Sequence, residues 1–389
     1  MYDVAPMYDV TIVGLGAMGA AVAWHASRLG LSVLGLDRYE PPHTHGSTHA
    51  ETRITRLAVG EGDHYIPFVA RSHALWRELE TLTGTSLLHQ SGGYILTDAA
   101  EEADRWTDFT METARIAERA GVGYEVFDAA AMRERQPGIV VPDGAKVGFE
   151  PTAGIVMCER AVAAQLAQAR EAGAQTRFGE DVTAIEPFGD HVQVTTSESV
   201  YAARHVVVAA GPWTPELVPS TIADRLSVTR QVVHWFEADD LDAWSVDTFP
   251  FVMWIAGTID DYVAAFPTPP DSAIRGVKVL GEQFDATTTP EQVERRVSAE
   301  EIADFHRRLV APRFPGITDH SLRAEVCLYT NTPDDHFLIE ADPRSDRIVV
   351  MSPCSGHGFK HSTALGEAIA QRLATGGSDL SLEPFGLAS

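Results

Sequence analysis

The first forty residues alternate between apolar runs and small or polar positions in a pattern that predicts a strand, a helix and a second strand. One apolar run ends at Val13 and leads into a loop with Gly14, Gly16 and Gly19, and the next run ends at Asp37. In such a loop the first glycine permits a tight turn, the second lets the backbone approach a pyrophosphate, and the third lets the helix pack against the strand. The helix N-terminus faces the phosphates, and the acidic residue is spaced to accept hydrogen bonds from ribose hydroxyls. We therefore predict a dinucleotide site rather than an ordinary βαβ turn, and the carboxylate disfavours NADP.

The pattern continues with helices and strands in alternation up to about residue 210. A polar loop over 40–51 is long enough to suggest a function. Periodicity predicts helices over 64–83, 100–120 and 158–172, and strands over 92–96, 181–187 and 191–196, the last two as a hairpin. Residues 205–210 are continuously apolar, as in a buried parallel strand. Because this strand comes long after the first unit, we expect the nucleotide-binding domain to be discontinuous.

The second half of the chain has a different pattern. Between residues 225 and 340, β-branched and aromatic positions alternate over 228–236, 262–266 and 277–280, which predicts an antiparallel sheet over a cavity. An acidic helix is predicted over 289–309, a strand over 347–352 and a last helix over 362–374. The predicted fold class is α/β (α+β overall), with two domains. The Rossmann-like domain is expected to comprise 7–90, 150–222 and 322–385, and the substrate domain 91–149 and 223–321.

Composition indicates which class of partner the protein binds. The chain has 389 residues, 44% of them hydrophobic, and 30 basic against 55 acidic residues give a net charge of −25. That charge disfavours nucleic acid and anionic membranes, so the expected partners are small molecules. Three cysteines suit a reducing compartment, and no signal peptide precedes the first strand, so we expect a cytoplasmic protein. The opening MYDVAPMYDV repeats itself, so we expect Met7 to be an alternative start and residues 1–6 to be a dispensable extension.

A second glycine-rich segment indicates that the bound dinucleotide is a flavin cofactor rather than a nicotinamide cofactor. Residues 355–360, SGHGFK, follow a predicted buried strand and open a helix, with Gly356 and Gly358 free to bring backbone N–H groups to a cofactor. A nicotinamide enzyme has no need of a second such helix start, whereas a reduced flavin carries negative charge that a helix N-terminus stabilises. The alternative is an ordinary strand-to-helix turn.

Three further positions have both a structural and a chemical interpretation. Cys327 lies in an alternating strand, where a small buried hydrophobe is the more common role. Lys278 lies in the middle of an apolar strand, either on its solvent face or as a buried cation with a function. Arg53 and Arg56 follow the polar loop three residues apart and could either grip an anion or remain solvated.

Four motifs, taken in order, are similar to those of the monomeric sarcosine oxidase and N-methyltryptophan oxidase family of flavin amine oxidases. They are VGLGAMGAA, PPHTHGSTHAETRITR with GEGDHYIP, EVCLYTNTPDDHFLIE, and SGHGFK, and the likeness runs from residue 9 to about 385. The resemblance implies the fold of the D-amino-acid oxidase and sarcosine oxidase superfamily, FAD as cofactor, and no metal. It implies a monomer that acts on a small amino-acid substrate and molecular oxygen.

The resemblance also implies roles for individual residues. Cys327 would be joined by a thioether to the flavin 8α-methyl group, and Lys278 would be the cation near the flavin at which oxygen reacts. Arg56 and Lys360 would bind the substrate carboxylate. His49 is implied as a catalytic residue close to the isoalloxazine. The remaining implied contacts are Ser47, Arg53 and Val182 with the cofactor, and Tyr329 with the substrate.

The chain departs from the family pattern around the expected substrate pocket. Glu282 stands where relatives carry a histidine four residues after the lysine, and Ala264 stands where they carry a tyrosine. Residues 57–59 read Leu, Ala, Val, where relatives have histidine and tyrosine around the alanine. A smaller residue at 264 and a carboxylate at 282 would suit a larger amine, with a hydroxylated or cationic group.

The expected function is an FAD-dependent oxidase of N-methyl or other secondary amino acids. It would oxidise the C–N bond to an imine that hydrolyses, while oxygen is reduced to hydrogen peroxide. The alternatives are a flavin dehydrogenase, an oxidase of a larger amine such as a cyclic imino acid or fructosyl amino acid, and a nucleotide-binding regulatory protein without turnover.

Overall fold

The computed structural model describes residues 7–98, 108–256, 261–284 and 286–387. Its strands are β1 (Met7–Val13), β2 (Val33–Asp37), β3 (Thr52–Thr55), β4 (Leu88–His89), β5 (Gly93–Thr97), β6 (Glu125–Asp128), β7 (Lys146–Glu150), β8 (Gly154–Met157), β9 (Gln175–Phe178), β10 (Val182–Phe188), β11 (His191–Thr196), β12 (Val200–Val208), β13 (Ser227–Ala238), β14 (Phe251–Ile255), β15 (Tyr262–Phe266), β16 (Val277–Leu280), β17 (Ile317–Asn331), β18 (Leu338–Asp342) and β19 (Ser345–Ser352).

The α-helices lie between these strands. They are α1 (Ala17–Arg28), α2 (Ile66–Thr83), α3 (Phe109–Ala120), α4 (Ala129–Arg135), α5 (Cys158–Glu171), α6 (Thr214–Leu217), α7 (Ser220–Ala223), α8 (Ala299–Phe305) and α9 (Ser362–Thr375). Short 3₁₀ turns occur at Asp63–Tyr65, Gly211–Trp213, Leu241–Trp244, Phe359–His361 and Glu383–Phe385, and a π-helical turn at His306–Val310. None of the helices in the described ranges is both long and apolar enough to cross a membrane.

The first sheet is the nucleotide-binding type that the glycine loop predicts. Its main path runs β10-β11-β12-β1-β2-β9, with β19 beside β12 and β18 beside β19. β1 pairs in parallel with β2 and with β12, and β12 with β19, so the predicted parallel strand near 205–210 is confirmed. Helices α1, α5 and α9 pack together, and α1 is buried from Ala17 almost to its end. This packing places the N-termini of α1 and of the Phe359–Thr375 helical segment at one edge of the sheet.

The second sheet is largely the antiparallel one predicted, with strand order β17-β13-β16-β15-β14-β5-β7-β6. One pair, β14 with β5, is parallel. β17 pairs with β13 from Ser227 opposite Asn331 to Ala238 opposite Ile317, and so it crosses the predicted domain boundary between 321 and 322. A third, small sheet of β3, β8 and β4 lies apart from these two.

The helix predicted over 289–309 is wrong for its first half. The helix α8 begins only after Ser298, whose side chain accepts a hydrogen bond from Glu301 N. The preceding segment is held as irregular backbone because Arg230 donates to the carbonyl oxygens of Glu294 and Arg296. Tertiary hydrogen bonds therefore override local helical periodicity here. The predicted helix over 100–120 is seen from Phe109 onward, and residues 100–107 lie outside the described ranges.

Candidate active site

The glycine loop has the geometry expected of a phosphate-binding turn. Gly14 has a φ of +88°, and a Cβ there would lie 2.5 Å from the Ala209 carbonyl oxygen. A Cβ on Gly19 would lie 1.8 Å from the carbonyl oxygen of Gly14, so helix and strand touch at this point. A Cβ on Gly16 would meet only Thr48 Oγ1, at 3.6 Å. The chain's own packing therefore does not require glycine at position 16, and the bare backbone there faces a cavity.

Asp37 connects the end of β2 to this loop. Its Oδ2 accepts a hydrogen bond from Leu15 N at 2.7 Å, and its Oδ1 accepts one from Tyr39 N at 2.9 Å. Each carboxylate oxygen has two lone pairs, so the group retains capacity for hydroxyl donors. Asp37 lines the same cavity as Gly16.

This cofactor cavity, of about 170 Å³, collects most of the residues predicted to bind the cofactor. Ser47 contributes a buried hydroxyl oxygen that has no hydrogen-bond partner among the described residues. The residues from the sequence prediction that line it are Gly14, Gly16, Asp37, Ser47, Arg53, Val182, Gly356 and Gly358.

A larger cavity of about 640 Å³, the substrate cavity, adjoins the first. The two share Arg53, Tyr329, Gly356 and Phe359 in their walls. Of the predicted residues, the substrate cavity also contains Arg56, Glu282, Cys327 and Lys360. The structure therefore places the predicted cofactor-binding and substrate-binding residues around two adjoining cavities.

Arg56 and Lys360 face each other across a carboxylate that sequence analysis did not assign. Arg56 Nη2 lies 2.7 Å from both carboxylate oxygens of Glu61, and Lys360 Nζ lies 3.6 Å from Glu61 Oε1. Burial favours the neutral form of Glu61, but Arg56, Lys360 and His357 outweigh it and hold the pKa well below its usual range. Burial also lowers the pKa of Lys360 to about 8. Arg56 and Lys360 therefore form a binding site for a carboxylate, and the carboxylate of Glu61 occupies it.

Cys327 lies beside His49, which in turn contacts Glu325. His49 Nε2 is 3.3 Å from Cys327 Sγ, and His49 Nδ1 is 3.3 Å from Glu325 Oε2. Burial lowers the pKa of His49, but the contacts with Cys327 and Glu325 prevail and raise it to about 9. Burial would raise the pKa of the Cys327 thiol, but His49, Arg53 and Lys278 bring it below its usual value. The arrangement therefore favours a thiolate next to an imidazolium.

Lys278 is a buried cation, so its solvent-face alternative is wrong. Its side chain is 3% exposed on β16, and Nζ lies 4.4 Å from the ring centroid of Phe266. Nζ donates to the carbonyl oxygens of Ala50 at 2.8 Å and Thr52 at 2.7 Å, and to Thr52 Oγ1 at 3.3 Å. Burial and the charge of Arg53 lower the pKa of Lys278 to about 8. All three donors are engaged, so the group acts on its surroundings through charge.

Ala264 is not where the resemblance implies. It has no accessible surface and packs on β15 among Ile95, Phe109 and Phe266, so it does not line the substrate cavity. Tyr262, two residues earlier on the same strand, does line it. His49, Lys278 and Gly19 are likewise absent from both cavity walls, and the first two reach the site through Cys327 and the Ala50–Thr52 backbone.

The sequence matches one protein family and is similar to individual proteins of known activity. Residues 9–372 match the family described as FAD dependent oxidoreductase. The chain belongs to this family. It is 34% identical to the monomeric sarcosine oxidase of Streptomyces avermitilis, over 98% of this chain and 97% of that one. It is 35% identical to the N-methyl-L-tryptophan oxidase of Yersinia pestis, over 98% and 99%. The two relatives confirm the family that the four motifs indicate.

The fold has counterparts among solved structures. NikD, described as an unusual amino acid oxidase essential for nikkomycin biosynthesis, superposes in its open form with a TM-score of 0.83. The identity is 22%, over 98% of this chain and 97% of that one. At that identity the match bears on the fold alone.

The residues of this FAD dependent oxidoreductase fit its cofactor. A bare backbone at Gly16, the carboxylate of Asp37 and the unpartnered hydroxyl of Ser47 all face one cavity. They match the needs of a dinucleotide for phosphate donors, a ribose acceptor and a further polar contact. No cluster of acidic, histidine or cysteine side chains suited to a metal ion occurs in the described part of the chain.

Two residues of the site escaped sequence analysis although the sequence carried signals for them. Glu61 lies inside the GEGDHYIP motif, but its pairing with Arg56 depends on the turn between them. Glu325 lies two residues before Cys327, a spacing that places both side chains on one face of β17. Glu150 has no such signal: its carboxylate accepts hydrogen bonds from Leu57 N and Ala58 N, and it fixes the backbone after Arg56.

Proposed function

We propose that this flavoenzyme is an oxidase of N-methyl or other secondary amino acids. It converts the C–N bond to an imine, which hydrolyses, and it passes the electrons to oxygen to form hydrogen peroxide. The observation that carries the proposal is that Arg56 and Lys360 meet around one carboxylate in a cavity that opens into the cofactor cavity. FAD, when bound, supplies the two-electron chemistry.

The substrate carboxylate is proposed to take the place of Glu61 between the two cations. Two charged donors orient an α-amino acid through its carboxylate and so fix its nitrogen and C–H bonds. Glu61 lies after β3 and outside the strands of the two large sheets. A ligand without a carboxylate cannot replace Glu61 in this way.

Cys327 is proposed to hold the flavin covalently through its 8α-methyl group. The thiolate favoured by His49 is the nucleophilic form of the side chain. Joining the sulfur to the methyl carbon would remove two protons and two electrons, and oxygen would be the final electron acceptor. His49 therefore acts on the attachment of the cofactor rather than on the substrate.

Lys278 is proposed to assist the reaction with oxygen. A fixed cation stabilises the negative charge that oxygen gains as it accepts an electron. The three N–H donors of Lys278 are engaged with Ala50 and Thr52. Lys278 is therefore proposed to act on oxygen through its positive charge and not through a hydrogen bond. A dehydrogenase would gain nothing from this charge.

The substrate cavity favours a substrate larger than sarcosine. Its volume of about 640 Å³ leaves room beyond the carboxylate site, for which a cyclic imino acid or a fructosyl amino acid is the second candidate. We further propose that the enzyme is a monomer in the cytoplasm. The relatives named monomeric and the three free cysteines support this.

A peroxide-coupled screen of N-methyl, cyclic and fructosyl amino acids tests the proposal. We expect the yellow protein to bleach anaerobically with at least one of them and to recover its colour in air, with one hydrogen peroxide per turnover. Rapid bleaching with slow recovery in air would instead favour a dehydrogenase. Protein that binds no flavin, or flavin that no amine reduces, would contradict the function itself.

A further inference from the structure

One acidic side chain in the substrate cavity has no role in the function proposed above. Glu282 follows β16, and its carboxylate lies in the cavity wall. It is only partly exposed, and no arginine, lysine or histidine in the described ranges lies within ion-pair distance of it. Tyr329 lines the same cavity and lowers the pKa of Glu282. A carboxylate in such a position is left with unused acceptor sites that point at the ligand.

The position of Glu282 within the cavity is the decisive observation. A Cβ placed on Gly356 would lie 3.3 Å from Glu282 Oε1 and 3.0 Å from Tyr329 Cε2. Gly356 and Tyr329 are two of the residues shared by the cofactor and substrate cavities. Glu282 therefore lies where the two cavities join, which is where the reacting nitrogen must sit, and not at the far end where a substrate side chain would extend.

Three of the charged groups in the wall of the substrate cavity are complementary to a zwitterion. Arg56 and Lys360 provide the positive side for a carboxylate, and Glu282 provides a negative group nearer the cofactor. An α-amino acid enters as the ammonium form at neutral pH, whereas the nitrogen must be neutral before a hydride can leave the adjacent carbon. A carboxylate close to the nitrogen can both bind the ammonium and remove this proton.

We propose that Glu282 is the acceptor for the substrate ammonium: it binds the protonated amine and takes one proton from it before the C–H bond breaks. The proton moves from the nitrogen to a carboxylate oxygen of Glu282, which leaves a neutral amine and a neutral carboxylic acid, with no change of oxidation state. This inference rests on the proposed amine oxidation and adds a catalytic residue to it.

The surroundings of Glu282 suit it to accept a proton near neutral pH. Burial, together with the negative charges of Glu61 and Asp335, raises the pKa of Glu282 to about 7, against the lowering effects of Tyr329 and Lys360. Such a carboxylate is a stronger base than an exposed one, and general bases work best when their pKa lies near the operating pH. The titratable and charged groups that face it are Glu61, Tyr262, Tyr329, Asp335 and Lys360.

The test compares Glu282→Gln with the wild type in anaerobic flavin reduction by an N-methyl amino acid, from about pH 6 to about pH 10. We expect Glu282→Gln to lower the apparent second-order rate constant about tenfold to a hundredfold near pH 7. The deficit should close toward pH 10, where the amine loses its proton unaided. Glu282→Asp keeps a carboxylate and should recover part of the rate. Glu300→Gln, at an exposed carboxylate on α8, is the matched control and should follow the wild type.

A second measurement separates this role from a general loss of structure. The ether acid in which oxygen replaces the amine nitrogen has a carboxylate but no ammonium. Its dissociation constant, read from the flavin absorbance, should not weaken in Glu282→Gln. A tenfold weaker ether acid would show a collapsed cavity and overturn the assignment.

Two further outcomes would also overturn it. A pH profile of Glu282→Gln that matches the wild type would show that another group takes the proton. A loss confined to amino acids with cationic side chains would show that Glu282 contacts the side chain instead. In either case the wild-type flavin is still reduced by amines, so the proposed function survives. If no amine reduces the wild type, the function fails first and this inference fails with it.

Discussion

Arg56 and Glu61 form a buried ion pair in which one guanidinium nitrogen, Nη2, lies 2.7 Å from both carboxylate oxygens. The pKa of Glu61 is held well below its usual range, so the carboxylate is charged at any pH at which the enzyme works. A substrate carboxylate must therefore compete with it, and binding affinity reflects the difference between two carboxylates.

Replacing Glu61 by glutamine should tighten the binding of carboxylate ligands. The neutral amide is a weaker partner for Arg56 and Lys360, and hydrogen bonds to charged groups are worth about 1.5 to 3 kcal/mol. On that scale we expect dissociation constants about tenfold to a hundredfold lower, measured by perturbation of the flavin spectrum. Glu78→Gln, which removes an exposed partner of Arg28, should change nothing. Weaker binding in Glu61→Gln would show that Glu61 positions Arg56 rather than competing with the substrate.

Arg56→Ala and Lys360→Ala should each lower kcat/KM for amino-acid substrates by roughly tenfold to a hundredfold. Either change leaves the carboxylate with half of its charged partners, at about 1.5 to 3 kcal/mol per charged hydrogen bond. Steady-state kinetics with a substrate and its decarboxylated analogue measures the effect. Lys146→Ala, at an exposed lysine near Asp108, is the control. If the wild type oxidised the two compounds equally well, the carboxylate site would be assigned wrongly.

Cys327→Ser should release flavin that stays with the wild-type chain after acid precipitation. His49→Ala should slow the attachment, because the thiol loses the neighbour that lowers its pKa. Cys158→Ser should retain the bound flavin, since burial raises the pKa of the Cys158 thiol and Glu159 lies against it. The colour of the pellet and supernatant decides the matter. Wild-type colour that remains entirely in the supernatant would rule out covalent attachment.

Lys278→Met should slow the reoxidation of the flavin by oxygen far more than its reduction by substrate. Charge develops on oxygen in the first process, whereas the second removes a hydride from a neutral amine. Because the pKa of Lys278 is lowered to about 8, its charge is present below that pH and is lost above it. Wild-type reoxidation should therefore slow as the pH rises through about 8, and this step should be missing from Lys278→Met. Stopped-flow measurement of both half-reactions provides the check, and equal reoxidation rates in the two proteins would remove Lys278 from the mechanism.

The parts of the fold that were predictable share one property: their signal is local. The turn at Gly14 and the strand that ends at Asp37 follow from steric and periodic rules that act over a few residues. The same rules predicted the segment 289–298 wrongly, because Arg230, which is distant in the sequence, donates hydrogen bonds to its carbonyl oxygens. Likewise, sequence comparison placed Ala264 in the pocket, but whether a side chain on β15 faces a cavity depends on the neighbouring strands.

The candidate site was predictable in its members but not in their contacts. Cys327 and Lys360 were found from motifs and Lys278 from its place in an apolar strand, and all three are buried. Their partners were not found, because His49 reaches Cys327 across 278 positions of sequence and Lys278 reaches Ala50 across 228. Those contacts exist only once the loop before β3 has packed against the second sheet.

Three residues of the site, Glu325, Cys327 and Tyr329, occupy alternate positions on β17, and that strand is paired with β13 along nearly all its length. In a paired strand a shift by one residue turns every side chain to the opposite face. An insertion or deletion of a single residue within β17 would thus remove the cofactor link and the pocket tyrosine together. The segments that follow β3 and β16, where Glu61 and Glu282 lie, are free of this constraint, so the cavity wall can change there without a shift of β17.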